Sequence, residues 1–127
     1  MSAQTLLSGG DKWYSYSGVL FGDVSAPATI NMILIPNTGL RDSYVKIMPY
    51  FGALVSGGTG DVLGLEVKID DVSVIKSQLT GGSGDIKDQF EYFDLFIPRQ
   101  SKFEVISLNT SGNNTQQRGC NVIGYYL

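Results

Sequence analysis

A chain of 127 residues, 43% of them apolar, has the length of one domain and can bury roughly two thirds of its unfolded surface without a disulfide or a structural metal. Charged residues reach only 17%, against about 25% in an average domain, and the 16 glycines are nearly twice the usual share. Nine Lys and Arg against twelve Asp and Glu leave a net charge of −3, which rules out nucleic-acid or anionic-membrane binding driven by net charge.

The chain contains no His, the commonest general base and metal ligand, so Ser-His-Asp and Cys-His mechanisms are excluded. Its one Cys, Cys120, allows no intrachain disulfide and no CxxC site, and fits a reduced cytosolic place of synthesis. The opening MSAQTLLSGGD has neither a basic region nor a long apolar stretch, so it does not read as a signal peptide. No apolar run approaches the ~18 residues of a membrane helix. These features predict a protein that is not an enzyme and takes no cofactor.

In chain order, residues 1–10 read as an N-terminal contact arm. Leu6 and Leu7 are its large apolar residues besides Met1, and Gly9-Gly10 would act as a hinge. Trp13 to Phe21 reads as a strand, followed by Ile30, Met32 and Leu34 alternating on one face. Ile35-Pro36 closes that run, because Pro cannot donate to a ladder. The run from Tyr44 to Val55 carries Pro49, which predicts an edge strand or a break at a bulge. Leu65, Val67 and Ile69 alternate with Glu66, Lys68 and Asp70; the parity then flips to Val72 and Val74, which predicts a β-bulge or bend at Asp70-Asp71.

Phe90 and Tyr92 share one parity, while Phe93, Leu95 and Ile97 take the other before Pro98. Phe103 to Leu108 is a further strand, and Cys120 to Leu127 the last. That last segment is apolar at nearly consecutive positions, which predicts a central strand covered on both faces. Gly124 within it marks a bulge or a close backbone approach. Gly- and Asn-rich stretches at 56–61, 80–85 and 110–115 supply turns. No helical spacing persists over ten residues. The expectation is therefore a single all-β domain over residues 1–127, an antiparallel β-sandwich, jelly-roll-like, of about 7–8 strands.

Few residues suggest chemistry. Asp70-Asp71 would point to opposite faces of a strand, and Asp85, Asp88 and Glu91 lack any Ca²⁺-loop spacing. No metal site is expected. The Gly clusters match neither a phosphate loop nor a nucleophile elbow. Asn109-Thr110-Ser111 and Asn113-Asn114-Thr115 match glycosylation sequons but read as the polar tip of a hairpin. Trp13, Tyr14, Tyr16, Tyr44, Tyr50, Tyr92, Tyr125 and Tyr126 would serve either as core and interface or as a sugar-stacking face. Arg41, Arg99 and Arg118 sit beside turns, where a planar fork suits an interface.

Three stretches carry a resemblance: Ile35-Pro36-Asn37-Thr38-Gly39-Leu40-Arg41-Asp42, Phe96 to Val105 with its Ile97-Pro98-Arg99, and Gly119 to Leu127. They resemble small all-β virion proteins of tailed bacteriophages, in particular the jelly-roll decoration (cement) proteins that bind the outside of a capsid. The aromatic-rich last strand is also similar to that of trimeric jelly rolls of the tumour necrosis factor type. The resemblance implies a place on the capsid surface of a virion, after synthesis in the host cytoplasm. It implies as partners the major capsid protein and copies of the chain itself, as a dimer or trimer, with no nucleic acid and no membrane. The contact residues expected on this reading are Leu6, Leu7, Arg41, Arg99, Arg118, Tyr125, Tyr126 and Leu127. The alternative is a carbohydrate- or host-receptor-binding module of a phage tail or a secreted assembly. Exposed aromatics beside polar side chains would favour that alternative, and aromatics held in the core and in subunit contacts would favour the cement protein.

Overall fold

A computed structural model describes residues 7–9, 11–18, 20–21, 28–51, 62–80, 92–109 and 117–127. The described residues form strands and turns, with no helix among them. The strands are β1 (Leu7–Gly9), β2 (Lys12–Tyr16), β3 (Leu20–Phe21), β4 (Ala28–Ile35), β5 (Ser43–Phe51), β6 (Val62–Ile69), β7 (Val72–Thr80), β8 (Phe93–Ile97), β9 (Phe103–Asn109) and β10 (Gln117–Tyr126).

All pairings are antiparallel. The first sheet, here sheet A, runs β1-β2-β10-β5-β8, with β3 pairing β10 beyond the end of β2; sheet B runs β4-β9-β6-β7. If β2 and β3 count as one interrupted strand and β1 as an edge addition, eight strands remain. Their order is first-eighth-third-sixth in sheet A and second-seventh-fourth-fifth in sheet B. That is the strand order of a jelly roll, and it makes the protein a β-sandwich.

The core lies between the sheets. Trp13, Val45, Ile47, Ile97, Cys120 and Val122 come from sheet A; Met32, Ile33, Ile35, Leu65, Val67, Phe103 and Val105 face them from sheet B. Trp13 is fully buried, meets the Phe103 ring edge-on at 6.5 Å, and donates its indole N–H to Ser43 Oγ at 3.0 Å. That hydrogen bond satisfies the one polar group the ring carries inward.

Several expectations change in detail. Asp70 and Asp71 are the two loop residues of a hairpin, since Ile69 pairs with Val72. Both take left-handed backbone angles, φ 50° and 66°, as a primed two-residue turn requires. The chain reverses there, which flips the apolar parity without a bulge at that point. The real irregularity lies within β7: Val67 pairs with Ile75 and Lys68 with Ser73, leaving Val74 as the extra residue. A second bulge sits in β4, where Asn31 opposes Ile106 and Ile33 opposes Val105. Met32 is the extra residue there, so Met32 and Ile33 both turn inward and the alternation Ile30, Met32, Leu34 does not hold.

Pro49 lies in β5 beyond the end of β8, which pairs only Ser43 to Ile47. The missing N–H thus falls on the strand's open side, as an edge position allows. The parity switch between Tyr92 and Phe93 falls at the start of β8, since Tyr92 precedes the strand; Phe90 lies outside the described residues. Within the expected contact arm, Leu7–Gly9 forms an edge strand paired with β2; Met1 to Leu6 and Gly10, and with Gly10 the Gly9-Gly10 hinge, lie outside the described residues.

β10 is central, between β2 and β5, as its composition predicts. Full cover on both faces is not found: Tyr125 and Leu127 are exposed. Gly124 marks a close approach, because a Cβ there would overlap the Trp13 indole.

Candidate interaction surface

The outer face of sheet A is built by the alternation that buries its inner face. On β2, Trp13 and Ser15 point inward, so Lys12, Tyr14 and Tyr16 point out. The ladder registers carry this face across four strands. Lys12, Tyr125, Tyr44 and Phe96 form one cross-strand row; Tyr14, Ile123, Lys46 and Asp94 form the next; Tyr16, Asn121 and Met48 form a third. Tyr92 precedes β8 beside this third row. Tyr16, Tyr44, Tyr92, Phe96 and Tyr125 are each between 42% and 64% exposed, a concentration a lone sheet face does not need for folding.

The rings are ordered by one another and by cations. Tyr14 and Tyr16 stack at 6.3 Å, and Tyr44 meets Phe96 edge-on at 6.4 Å. Lys12 Nζ lies 5.5 Å from the centre of the Tyr125 ring, and Lys46 Nζ lies 4.8 Å from that of Tyr92. Such cation–π contacts hold amphipathic side chains flat on the sheet. Among the described residues the face therefore carries two cations, Lys12 and Lys46, and one carboxylate, Asp94, on a chain whose net charge is −3.

Of the expected contact residues whose side chains are described, only Tyr125 belongs to this face. Arg41, Arg99, Tyr126 and Leu127 gather instead at one end of the sandwich. The Arg41 guanidinium stacks 4.8 Å over the Tyr126 ring, lies 3.9 Å from Asp11 and donates to the Leu127 carbonyl at 3.5 Å. Asp42 accepts a hydrogen bond from the Arg99 backbone N–H at 2.8 Å, and the Leu127 N–H donates to the Asp42 carbonyl at 3.0 Å. These groups pin the β10 end to the neighbouring loops. Leu7 and Arg118 lie in β1 and β10, with side chains outside the described residues, as is the whole of Leu6.

The eight aromatics considered for a sugar-stacking face divide. Trp13 and Tyr126 pack on the core; Tyr14, Tyr16, Tyr44, Tyr92 and Tyr125 share the outer face; the Tyr50 side chain lies outside the described residues. Lys12, Lys46 and Phe96 are the members that sequence reasoning missed. The signal was period two, since Lys12, Tyr14 and Tyr16 share one parity.

The other polar clusters are structural. Asp70 Oδ1 accepts the Lys102 N–H at 2.8 Å, and Lys102 Nζ bridges Asp71 at 3.0 Å and Glu104 at 3.5 Å. The hydrogen bond to Asp71, then the Glu104 charge, raises the Lys102 pKa above its ordinary value. Burial pushes the Cys120 thiol up to about 12, so it carries no thiolate at neutral pH. A depression of about 120 Å³ is lined by Thr29, Gly64, Glu66, Lys76, Ser77 and Ile106. That is well short of the roughly 300 Å³ at which ligand pockets begin. Among the described residues no three acidic, Cys or His side chains come together to hold a metal; Asp85, Asp88 and Glu91 lie outside them. No family model matches the chain, and no curated protein matches it either.

Proposed function

We propose that the protein is a virion structural protein, a capsid decoration or cement protein that stabilises a phage shell by binding across capsomers. The observation that supports this reading is the jelly-roll strand order, with the aromatic face of sheet A, exposed in the single chain, taken as its subunit or shell contact. Tyr, Phe and Met flanked by a few charges is the composition of a protein-covered surface, whereas a solvated sheet face is mostly charged and polar. The described residues of this face offer contact surface, and the chain has no His to serve as a general base. The mechanism is mass action: a protein that binds only the assembled shell stabilises that shell by an amount that grows with the logarithm of its free concentration over Kd. On this reading it is made in the host cytoplasm and acts on the capsid surface.

The test is addition of purified protein to intact particles lacking it. The protein should co-sediment with the shells and raise their temperature of disruption. Absence of both effects, at protein concentrations of tens of micromolar, would overturn the reading.

A second reading, a carbohydrate- or receptor-binding module, is favoured by the exposed tyrosines beside Lys12, Lys46 and Asn121. Against it stand the ring faces themselves. Sugar stacking needs a free ring face, and those of Tyr125 and Tyr92 each already carry an ammonium group. Retention on immobilised glycans, lost on Tyr44→Ala, would decide for it.

A further inference from the structure

We infer that the outer face of sheet A is a self-pairing surface, on which a second copy of this chain packs face to face about a two-fold axis parallel to the strands, between β10 and β5. This deepens and rests on the reading of that face as one covered by protein.

The edges of the sandwich argue that association uses a face. Both outer strands of sheet B carry bulges, at Met32 in β4 and Val74 in β7, and the outer strands of sheet A are short, with three described residues in β1 and five in β8. Bulged and very short edges resist strand addition. The aromatic face has no comparable protection.

Size is the second argument. The five most exposed rings leave roughly 500 Å² open, taking about 200 Å² for a full ring side chain. The stems of Lys12 and Lys46, with Ile123 and Met48, bring the face to the lower end of specific interfaces, roughly 600 Å² per partner. An interface of that size supports a reversible dimer.

Charge complementarity selects the occupant and the axis. A two-fold parallel to the strands between β10 and β5 preserves each cross-strand row and exchanges β10 with β5 and β2 with β8. Tyr125 then meets Tyr44 of the second copy, and Lys12 meets Phe96. In the next row the Tyr14 hydroxyl meets the Asp94 carboxylate, and Ile123 meets the Lys46 stem. No charge faces a like charge. An axis across the strands through that row would set Lys46 against Lys46 and Asp94 against Asp94, which costs rather than contributes. The two-fold parallel to the strands thus pairs the face with itself with no like charges in contact and with the Asp94 carboxylate beside a hydroxyl donor.

The experiment is sedimentation equilibrium of the full chain from about 1 µM to 1 mM, with intrinsic fluorescence of the buried Trp13 confirming the fold of each variant. Wild type should pass from one to two chain masses with a micromolar Kd. Tyr125→Asp, at an exposed position, should weaken dimerisation at least tenfold without altering the fluorescence. Orientation is read by mixing Tyr44→Cys and Tyr125→Cys chains under mild oxidation. A mixed disulfide-linked dimer should dominate, while Tyr14→Cys mixed with Tyr44→Cys should cross-link poorly. Wild type that remains monomeric at 1 mM overturns the inference, as does cross-linking without preference among these pairs. If a monomeric protein still binds particles and Tyr125→Asp abolishes that binding, the face meets the shell, and self-pairing alone is refuted. If dimers form and particles are not bound, self-pairing stands and the cement reading falls.

Discussion

Gly124 and Trp13 are direct partners across the β10–β2 ladder, and the indole of Trp13 occupies the volume a side chain at Gly124 would need. A strand-interior glycine normally weakens a sheet; here it admits the largest side chain of the core. The Gly124→Ala variant should lose about 1–3 kcal/mol or more, as overpacked cores do. Urea unfolding followed by Trp13 fluorescence measures this. Adding Trp13→Leu to Gly124→Ala should cost less than the two single changes together, because the smaller side chain vacates the contested space.

Cys120 ties stability to alkaline pH. Its thiol is buried with a pKa of about 12, against 9.0 for the free group, because burial disfavours the thiolate. A folded pKa raised above the unfolded one contributes stability that is complete below about pH 9 and declines as pH rises toward 12. Denaturant midpoints should therefore fall between pH 9 and 11, and Cys120→Ala should remove that part of the slope. At pH 8 an aromatic disulfide reagent should label the native protein far more slowly than the unfolded chain.

Arg41 acts within the chain, on Tyr126, Asp11 and the Leu127 carbonyl. Half-exposed contacts of this kind contribute about 0.5–1 kcal/mol. Arg41→Ala should lower Tm by about 2–5 °C. Arg41→Lys should recover only part of this, since an ammonium cannot stack as a planar guanidinium does. Scanning calorimetry at low and high salt would separate stacking from the ion pair, which salt screens.

The Asp70 turn is a fourth test. Asp70 Oδ1 accepts the Lys102 N–H, its own N–H donates to the Lys102 carbonyl, and its φ is 50°. Asp70→Ala removes the acceptor and leaves, at a left-handed position, a residue without the short polar side chain that lets Asp and Asn adopt it, for about 1–2 kcal/mol in all. Asp70→Asn keeps both features and should fall within about 0.5 kcal/mol of wild type. Chemical denaturation of the two variants side by side checks the difference.

The strands were legible wherever a half-buried face imposed strict alternation, as at Leu65, Val67 and Ile69, all turned toward the core. Local backbone events were not. Asp70-Asp71 lacks the glycine that announces a primed turn, so a reversal and a bulge give the same parity flip in sequence. The bulges at Met32 and Val74 fall among apolar residues that fit either face. The interaction surface was half legible. Period two puts Lys12, Tyr14 and Tyr16 on one side of β2, but the opposite side holds Ser15 as well as Trp13, so hydropathy alone does not say which side is buried. Only the sheet order brings Tyr44, Phe96 and Tyr125 beside them.

The position of β10 sets a schedule for synthesis. Translation delivers β2 and β5 well before the strand that lies between them, so until β10 emerges neither has its central neighbour. Sheet B has all four of its strands by the time β9 is made, and can pair while sheet A is still open. The nascent chain thus carries two unpaired strand edges and an uncovered half-core, the species most exposed to association with other nascent chains. Insertion of β10 closes both edges in one step and seats Trp13 over Gly124. Ribosome-bound intermediates stalled before Gln117 should accordingly be the protease-sensitive ones, and the final ten-residue strand the event that makes the domain resistant.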